Sequence, residues 1–182
     1  MRIIAGLYKG HKLFTPSGLS IRPTSDRVRE TLFSVLGSRV ADAHFLDLFA
    51  GIGAVGIEAL SRGARYVVFN DQSPKAVQTV QRNLLKVDGQ AHVYRFSAVV
   101  FLSKMQELGP FDLVFCDPPY RFDRGQDVLE KIVQGGFLKR DGWIIYENST
   151  RTATPAAPET LVRVREQSLG ETRLSYFQLT GG

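Results

Sequence analysis

Residues 117–120 read Asp-Pro-Pro-Tyr and directly follow an apolar run, Phe111-Asp-Leu-Val-Phe-Cys116. Two successive prolines fix φ twice and stiffen a turn. Pro118 lacks an N–H, yet its carbonyl can accept, and Asp117 places a carboxylate beside it. The result is a rigid pair of acceptors with an aromatic ring next to it. Such a pair suits an exocyclic amine on a nucleic-acid base. The lone pair of that amine is delocalised into the ring, so it is a poor nucleophile. Two acceptors holding its N–H bonds favour a pyramidal nitrogen and stabilise the positive charge that grows as it attacks a methyl group. Tyr120 offers a face on which an extracted base can stack. Asp117, Pro118, Pro119 and Tyr120 are therefore the catalytic candidates. Asp-Pro and Pro-Pro are also ordinary turn formers, so the weight of this reading comes from where the turn falls.

A second constellation lies upstream, in Asp47-Leu-Phe-Ala-Gly51-Ile-Gly53-Ala-Val-Gly56. Gly51 and Gly53 permit a tight turn and close approach of the backbone to a ligand. Asp71 follows another apolar run, where a carboxylate can accept from both hydroxyls of a ribose. Gly51, Gly53 and Gly56 also satisfy G-x-G-x-x-G, and with Asp71 they meet the dinucleotide fingerprint. A nicotinamide oxidoreductase is thus a serious alternative. Asp47 counts against it, because a pyrophosphate would meet a second negative charge there. S-adenosylmethionine (AdoMet) has no phosphate and carries a sulfonium and an ammonium, which a carboxylate favours.

These groups need a scaffold that brings strand ends together. Apolar runs suited to buried strands occur at His44–Phe49, Tyr66–Asn70, Ala91–Phe96, Phe111–Cys116 and Trp143–Glu147. Between them, helical patterns span Ala54–Arg62, Pro74–Val87 (capped by Ser73), Val99–Leu108 and Gln126–Val133. Alternating strands and helices imply a parallel sheet covered on both faces, with ligands at the carboxyl ends of the strands. Before this core, residues 2–15 read as a small hairpin or arm. A helix is expected from Asp26 to Leu36, with Thr24 or Ser25 as N-cap and Gly37 at its end. After it, a Thr/Ala/Pro-rich loop, Thr150–Glu159, leads to two alternating segments, Leu161–Glu166 and Arg173–Leu179. These read as an antiparallel hairpin closing the sheet. The expected architecture is a single domain: a basic arm and helix over residues 1–39, and an α/β core over residues 40–182.

The 182 residues carry a net charge of +5, and all of that excess lies within residues 1–39. Arg2, Lys9, Lys12, Arg22, Arg27, Arg29 and Arg39 stand there against Asp26 and Glu30 alone. A local basic excess marks a phosphate-binding surface or an ordinary solvated face. The one cysteine, Cys116, cannot form an internal disulfide, and the start shows no secretory pattern, so a cytoplasmic protein is expected. No apolar stretch is long enough for a membrane span. His11, His44, His92 and Cys116 show no ligand spacing, so no metal is expected.

Asp47–Gly53 with Asp71, and Asp117–Tyr120, resemble motifs I, II and IV of the Rossmann-like amino-methyltransferases. The N-terminal runs Arg2-Ile-Ile-Ala-Gly6, Lys9-Gly-His-Lys-Leu13, Arg22-Pro-Thr24 and Asp26-Arg-Val-Arg-Glu-Thr-Leu-Phe33 narrow the match. With them the chain is similar, over nearly its full length, to the RsmD family of bacterial small-subunit (16S) ribosomal RNA guanine-N2 methyltransferases. The resemblance implies a class I methyltransferase fold, with a seven-stranded, mostly parallel sheet and an antiparallel final pair. It implies AdoMet held by Asp47, Gly51, Gly53 and Asp71, with Phe49 and Gln72 beside them, and a loop bearing Arg22 and Thr24 closing over the methionine end. It implies RNA held by Arg2, Lys9, Lys12, Arg27 and Arg29, and as substrate an assembled or assembling 30S particle with one guanine as target. A monomer is expected. Relatives usually carry an acid near Ser97 that contacts the adenine amine; here a serine can accept but lacks the charge. Asp71 stands where many relatives have Glu. Asp-Pro-Pro-Tyr is not base-specific, so methylation of adenine N6 in DNA or RNA, or of protein glutamine, stays open. So does a non-catalytic RNA-binding protein that kept the fold. Arg29 also reads as a helix-surface residue paired with Asp26.

Overall fold

The computed structural model describes residues 1–16 and 25–181. Among these, seven strands form one sheet in the order β3-β2-β1-β4-β5-β7-β6. The strands are β1 (His44–Asp47), β2 (Tyr66–Asn70), β3 (Gln90–Tyr94), β4 (Phe111–Cys116), β5 (Leu138–Ser149), β6 (Leu161–Leu169) and β7 (Thr172–Leu179). The first five run parallel, and β7 inserts antiparallel between β5 and β6. The doubly wound sheet with an antiparallel C-terminal hairpin expected from the sequence is therefore present.

Helices α1 (Asp26–Leu36), α2 (Ala54–Ser61) and α3 (Pro74–Leu84) lie on one face of the sheet, and α4 (Ala98–Lys104) and α5 (Gly125–Gln134) on the other. Both faces bury apolar clusters. Leu32, Phe33, Phe45, Ile57, Val67 and Tyr176 belong to the first; Leu46, Phe101, Val114, Leu129 and Phe177 belong to the second. A parallel sheet needs this double cover because its strands are apolar on both sides. Ser25 caps α1 by accepting from the Val28 N–H, and Gly37 ends it at φ 53°.

Residues 1–13 form a narrow hairpin with a single bridge, Arg2 to Lys12. Its attachment to the core is polar. Both oxygens of Glu58, in the middle of buried α2, accept backbone N–H groups of the arm: Oε2 from Ile4 at 2.8 Å and Oε1 from Ala5 at 3.0 Å. Arg29 of α1 and Arg62 reach the same carboxylate, and the Glu58 and Arg29 side chains are 0% exposed. Arg29 also donates to the Arg2 carbonyl and to Asp26. The assignment of Arg29 to RNA is thus corrected: its guanidinium is buried in the joint between arm and core. Its pairing with Asp26 is present as one contact of that joint. Gly6 packs so closely that a Cβ there would stand 1.8 Å from the Ser61 carbonyl oxygen.

Several element ends differ from the sequence pattern. β3 ends at Tyr94 and not at Phe96, because the Phe96 N–H leaves the ladder for Asn70 Oδ1. The expected helix Val99–Leu108 breaks at Met105 and finishes as a short 3₁₀ turn, Gln106–Leu108. β5 begins five residues before Trp143, since Leu138 pairs with Phe111 across a register shift. β6 likewise carries a register shift between Arg163 and Arg165.

Candidate active site at the carboxyl edge of the sheet

Three neighbouring parallel strands, β2, β1 and β4, deliver their carboxyl ends to one edge. Asp47 is in register with Phe69 and Phe115, so Asp71 and Asp117 each leave the sheet two residues beyond the level of Asp47. The loop after β1 is fixed by its own backbone. Leu48 N–H reaches Phe115 O at 3.0 Å, Ala50 N–H reaches Asn70 O at 2.9 Å, and Gly53 N–H turns back to Ala50 O at 2.7 Å. Gly51 and Gly53 hold φ values of 56° and 81°, a region that L side chains enter only with strain. The third glycine has another task. Gly56 lies inside α2, where a Cβ would come within 2.2 Å of the Phe69 ring, so it sets how closely α2 packs on β2.

The carboxylates are held in different ways. Asp71 accepts the Gly51 N–H through Oδ2 at 2.9 Å and the Ser73 N–H through Oδ1 at 2.8 Å. It therefore ties the glycine loop to the start of α3. Half-burial raises its pKa against the pull of those two donors. Asp47 is 1% exposed and accepts the Gly56 N–H at 3.0 Å. Burial, helped in smaller part by the charges of Asp117 and Asp71, lifts its pKa to about 7 against the pull of that donor. Asp47 thus feels two further carboxylates around a buried glycine turn. A phosphate group would add to that repulsion, whereas a ligand carrying positive charge would relieve it. The residues present therefore fit AdoMet, with its sulfonium and ammonium, better than a dinucleotide.

Asp117 and Pro118 are half-buried, and Pro119 and Tyr120 are exposed, Tyr120 at 67%. The turn closes through Phe122 N–H to Pro119 O at 2.9 Å, and the Phe122 ring meets Phe49 edge-on at 5.3 Å. That contact links the turn after β4 to the loop after β1. Behind the turn, Cys116 is fully buried, and burial pushes its thiol pKa well up. It is a strand residue and not a nucleophile.

Among the other sequence candidates, Gln72 is exposed beside Asp71, and Ser97 is half-buried with its hydroxyl accepting from Val100 N–H as the cap of α4. Arg2, Lys9, Lys12 and Arg27 are exposed. Arg22 and Thr24 lie outside the described residues. Among the described residues no three His, Cys, Asp or Glu side chains group as a metal site. No helix of the described residues is long and apolar enough to cross a membrane.

Two asparagines that sequence reasoning did not assign hold the edge together. Asn70, 1% exposed, donates to the carbonyls of Leu48 and Phe96 and accepts the Phe96 N–H, joining the loops after β1 and β3. Asn83, 0% exposed, donates to Ile52 O in the glycine loop and to Phe14 O in the arm, and accepts the Phe14 N–H at 2.7 Å. The signal for both was a side-chain amide within an otherwise apolar face, since such groups are buried only when their hydrogen bonds are met.

The chain is similar to known proteins over nearly its whole length. The family model described as conserved hypothetical protein 95 matches residues 1–178. The ribosomal RNA small subunit methyltransferase D of Escherichia coli K12 is 35% identical over 179 residues, covering 98% of this chain and 89% of that protein. The protein of the same name from Haemophilus influenzae is 35% identical over 181 residues, covering 98% and 93%. The solved structure of yhhF from E. coli superposes with a TM-score of 0.88 at 34% identity, over 100% of this chain and 99% of that one.

Proposed function

Because the chain belongs to the RsmD family of small-subunit ribosomal RNA methyltransferases, we propose that it transfers a methyl group from AdoMet to the N2 amine of a guanine in small-subunit ribosomal RNA. The observation that carries this reading is the gathering of Asp47, Asp71 and Asp117 at one edge of the sheet around the glycine turn, where the buried Asp47 feels the charges of the other two. It supports a cationic methyl donor at this edge, which in this reading lies beside the rigid Asp-Pro-Pro-Tyr turn.

When bound, AdoMet supplies an electrophilic methyl group on its sulfonium. Asp71 accepts from the ribose hydroxyls with the lone pairs left by its two backbone donors. Asp47 offsets positive charge from beneath the glycine turn, with Phe49 and Gln72 flanking it and Ser97 at the adenine side. The Asp117 carboxylate and the Pro118 carbonyl accept the two N–H bonds of the target amine and aim its lone pair along the line of transfer. Pro119 keeps the turn from relaxing, and Tyr120 stacks on the extracted base. Positive charge appears on the amine only as the new bond forms, so these acceptors act mainly in the transition state. The surplus proton then leaves nitrogen through the Asp117 carboxylate to water. The exposed Arg2, Lys9, Lys12 and Arg27 lie along the arm and α1, where they would hold the RNA backbone of an assembling 30S particle. The arm, residues 1–39, acts in this reading as an RNA-holding extension of the same domain, and the segment bearing Arg22 and Thr24 as a cover over the cofactor.

The test is mass-spectrometric mapping of modified bases in small-subunit ribosomal RNA from cells with and without this gene. Loss of one N2-methylguanine is the expected result. An unchanged set of N2-methylguanines overturns the reading.

A further inference from the structure

Resting on the RNA reading above, we infer that Arg82 and Lys86, at the far end of α3, carry the RNA-holding surface from the arm onto the core and grip backbone phosphates flanking the target nucleotide. Two segments distant in sequence bring these cations together. The returning limb of the arm, residues 11–14, lies along the last turn of α3. The Arg82 guanidinium sits 3.7 Å from the centroid of the Phe14 ring. Lys86 Nζ donates to the Lys12 carbonyl, and His11 Nδ1 stands 3.3 Å from the Lys86 carbonyl. Further along, the Tyr8 hydroxyl accepts the Asp88 N–H at 2.9 Å. Lys12, Arg82 and Lys86 are all exposed and meet in one patch, where Asp88 is the neighbouring acid.

Among the described residues no carboxylate is ion-paired with Lys12, Arg82 or Lys86, whereas Arg62, Arg124, Arg163 and Arg173 each have one. Cations gathered in this way repel one another, and an anionic partner relieves that repulsion. Stacking on Phe14 uses the flat face of the Arg82 guanidinium and leaves its in-plane donors for a phosphate. No acid stands anywhere on α3, whose exposed side chains include Lys75, Gln78, Gln81 and Arg82. Lys, Arg and Gln are side chains that hold phosphate and sugar without reading sequence. The helix also sets the distance from the chemistry. It begins directly after Ser73, whose N–H is held by Asp71, and its 11 residues span about 16 Å away from the cofactor edge. An RNA that reaches Lys86 is therefore gripped well away from the target base, so the contact adds to binding and not to the methyl transfer.

The experiment measures binding of deproteinised small-subunit ribosomal RNA over a salt series, together with methylation of small-subunit particles. Arg82→Ala and Lys86→Ala are each expected to reduce the slope of log K against log salt by about 0.7–0.9, and the double variant by about twice that. The double variant should raise KM for the particle at least about threefold, with a smaller effect on kcat and none on AdoMet affinity. The charge-keeping Arg82→Lys and Lys86→Arg should restore the slope. Lys86→Ala leaves the contact of Arg82 with Phe14 in place, so it decides the matter should Arg82→Ala loosen the arm. Cations that serve only the end of the helix would lower Tm and leave the slope as it was; that outcome overturns the inference. Weaker binding to particles with unchanged binding to the free RNA would point to an acidic protein partner and overturns it equally. A wild-type protein whose RNA binding shows no salt dependence would instead overturn the reading on which this one rests.

Discussion

Replacing Glu58 with alanine should be among the most damaging single changes in this chain, although Glu58 touches no expected ligand. Its carboxylate accepts the Ile4 and Ala5 N–H groups at 2.8 and 3.0 Å, Arg62 Nε at 2.8 Å and Arg29 Nη1 at 3.5 Å. The Arg29 side chain is fully buried, so without Glu58 its charge keeps, among the described residues, only the partly exposed Asp26 and the Arg2 carbonyl. Breaking a buried pair from one side costs about 3–5 kcal/mol, and each orphaned N–H adds roughly 1 kcal/mol or more. A loss of about 5–7 kcal/mol is a large part of the ~5–15 kcal/mol that holds a domain together. For a protein of this size it corresponds to a drop of roughly 10–28 °C in Tm. Thermal and urea melts followed by circular dichroism give the number, and hydrogen exchange at Ile4 and Ala5 shows whether the arm detaches first. The double variant Arg29→Met/Glu58→Met should recover only part of the loss. Removing both charges ends the charge problem but leaves the two arm N–H groups unmet. A Glu58→Ala loss below about 1 kcal/mol, or full recovery in the double variant, would refute the reasoning.

Four further outcomes follow from the geometry. Asp117→Ala should lower kcat by at least about 100-fold and leave AdoMet affinity, read by calorimetry, nearly unchanged; equal turnover would remove Asp117 from the chemistry. Asp47 holds its proton up to about pH 7 in the folded chain, against 3.8 for the ordinary carboxyl. Between those values the folded state binds more protons than the unfolded state, so stability should fall as pH rises through that window, by at most about 1.4 kcal/mol per pH unit. Urea midpoints should show Asp47→Asn flattening that slope, and AdoMet, which favours the ionised form, should bind more weakly below pH 7. Arg27→Ala should reduce the slope of log K against log salt for RNA binding by about 0.7–0.9, whereas Arg29→Ala should show itself as a lower Tm. Gly53→Ala, forced to φ 81° with its Cβ 3.2 Å from Val80, should weaken AdoMet binding several-fold in titration calorimetry.

What the sequence disclosed depended on the kind of residue. Helix α1 was readable to both ends because Ser25 and Gly37 have geometric roles that few residues can fill. The glycine turn, Asp71 and the Asp-Pro-Pro-Tyr turn were legible because they fall immediately after apolar runs. The polar start of β5 was hidden, since Lys139-Arg140-Asp141 breaks the apolar pattern while pairing resumes beyond the register shift. Charge counting placed Arg29 with its basic neighbours. It could not tell an exposed cation from one neutralised by an acid 29 residues away. Asn70, Asn83 and Glu58 were missed for a related reason. Each satisfies backbone groups distant in the chain, and nothing local to the residue reveals which loop it will hold.

The outer strand β6 leaves Val162 and Val164 exposed at 45% and 42%, a situation that in a flat strand would invite another chain to extend the sheet. Here the slipped pairing around Val164 interrupts the row of amide groups that such a recruit would have to match. Arg163, Arg165 and Glu166 set like charges in the path of an identical strand approaching in parallel. The rim is therefore a poor template for fibril growth.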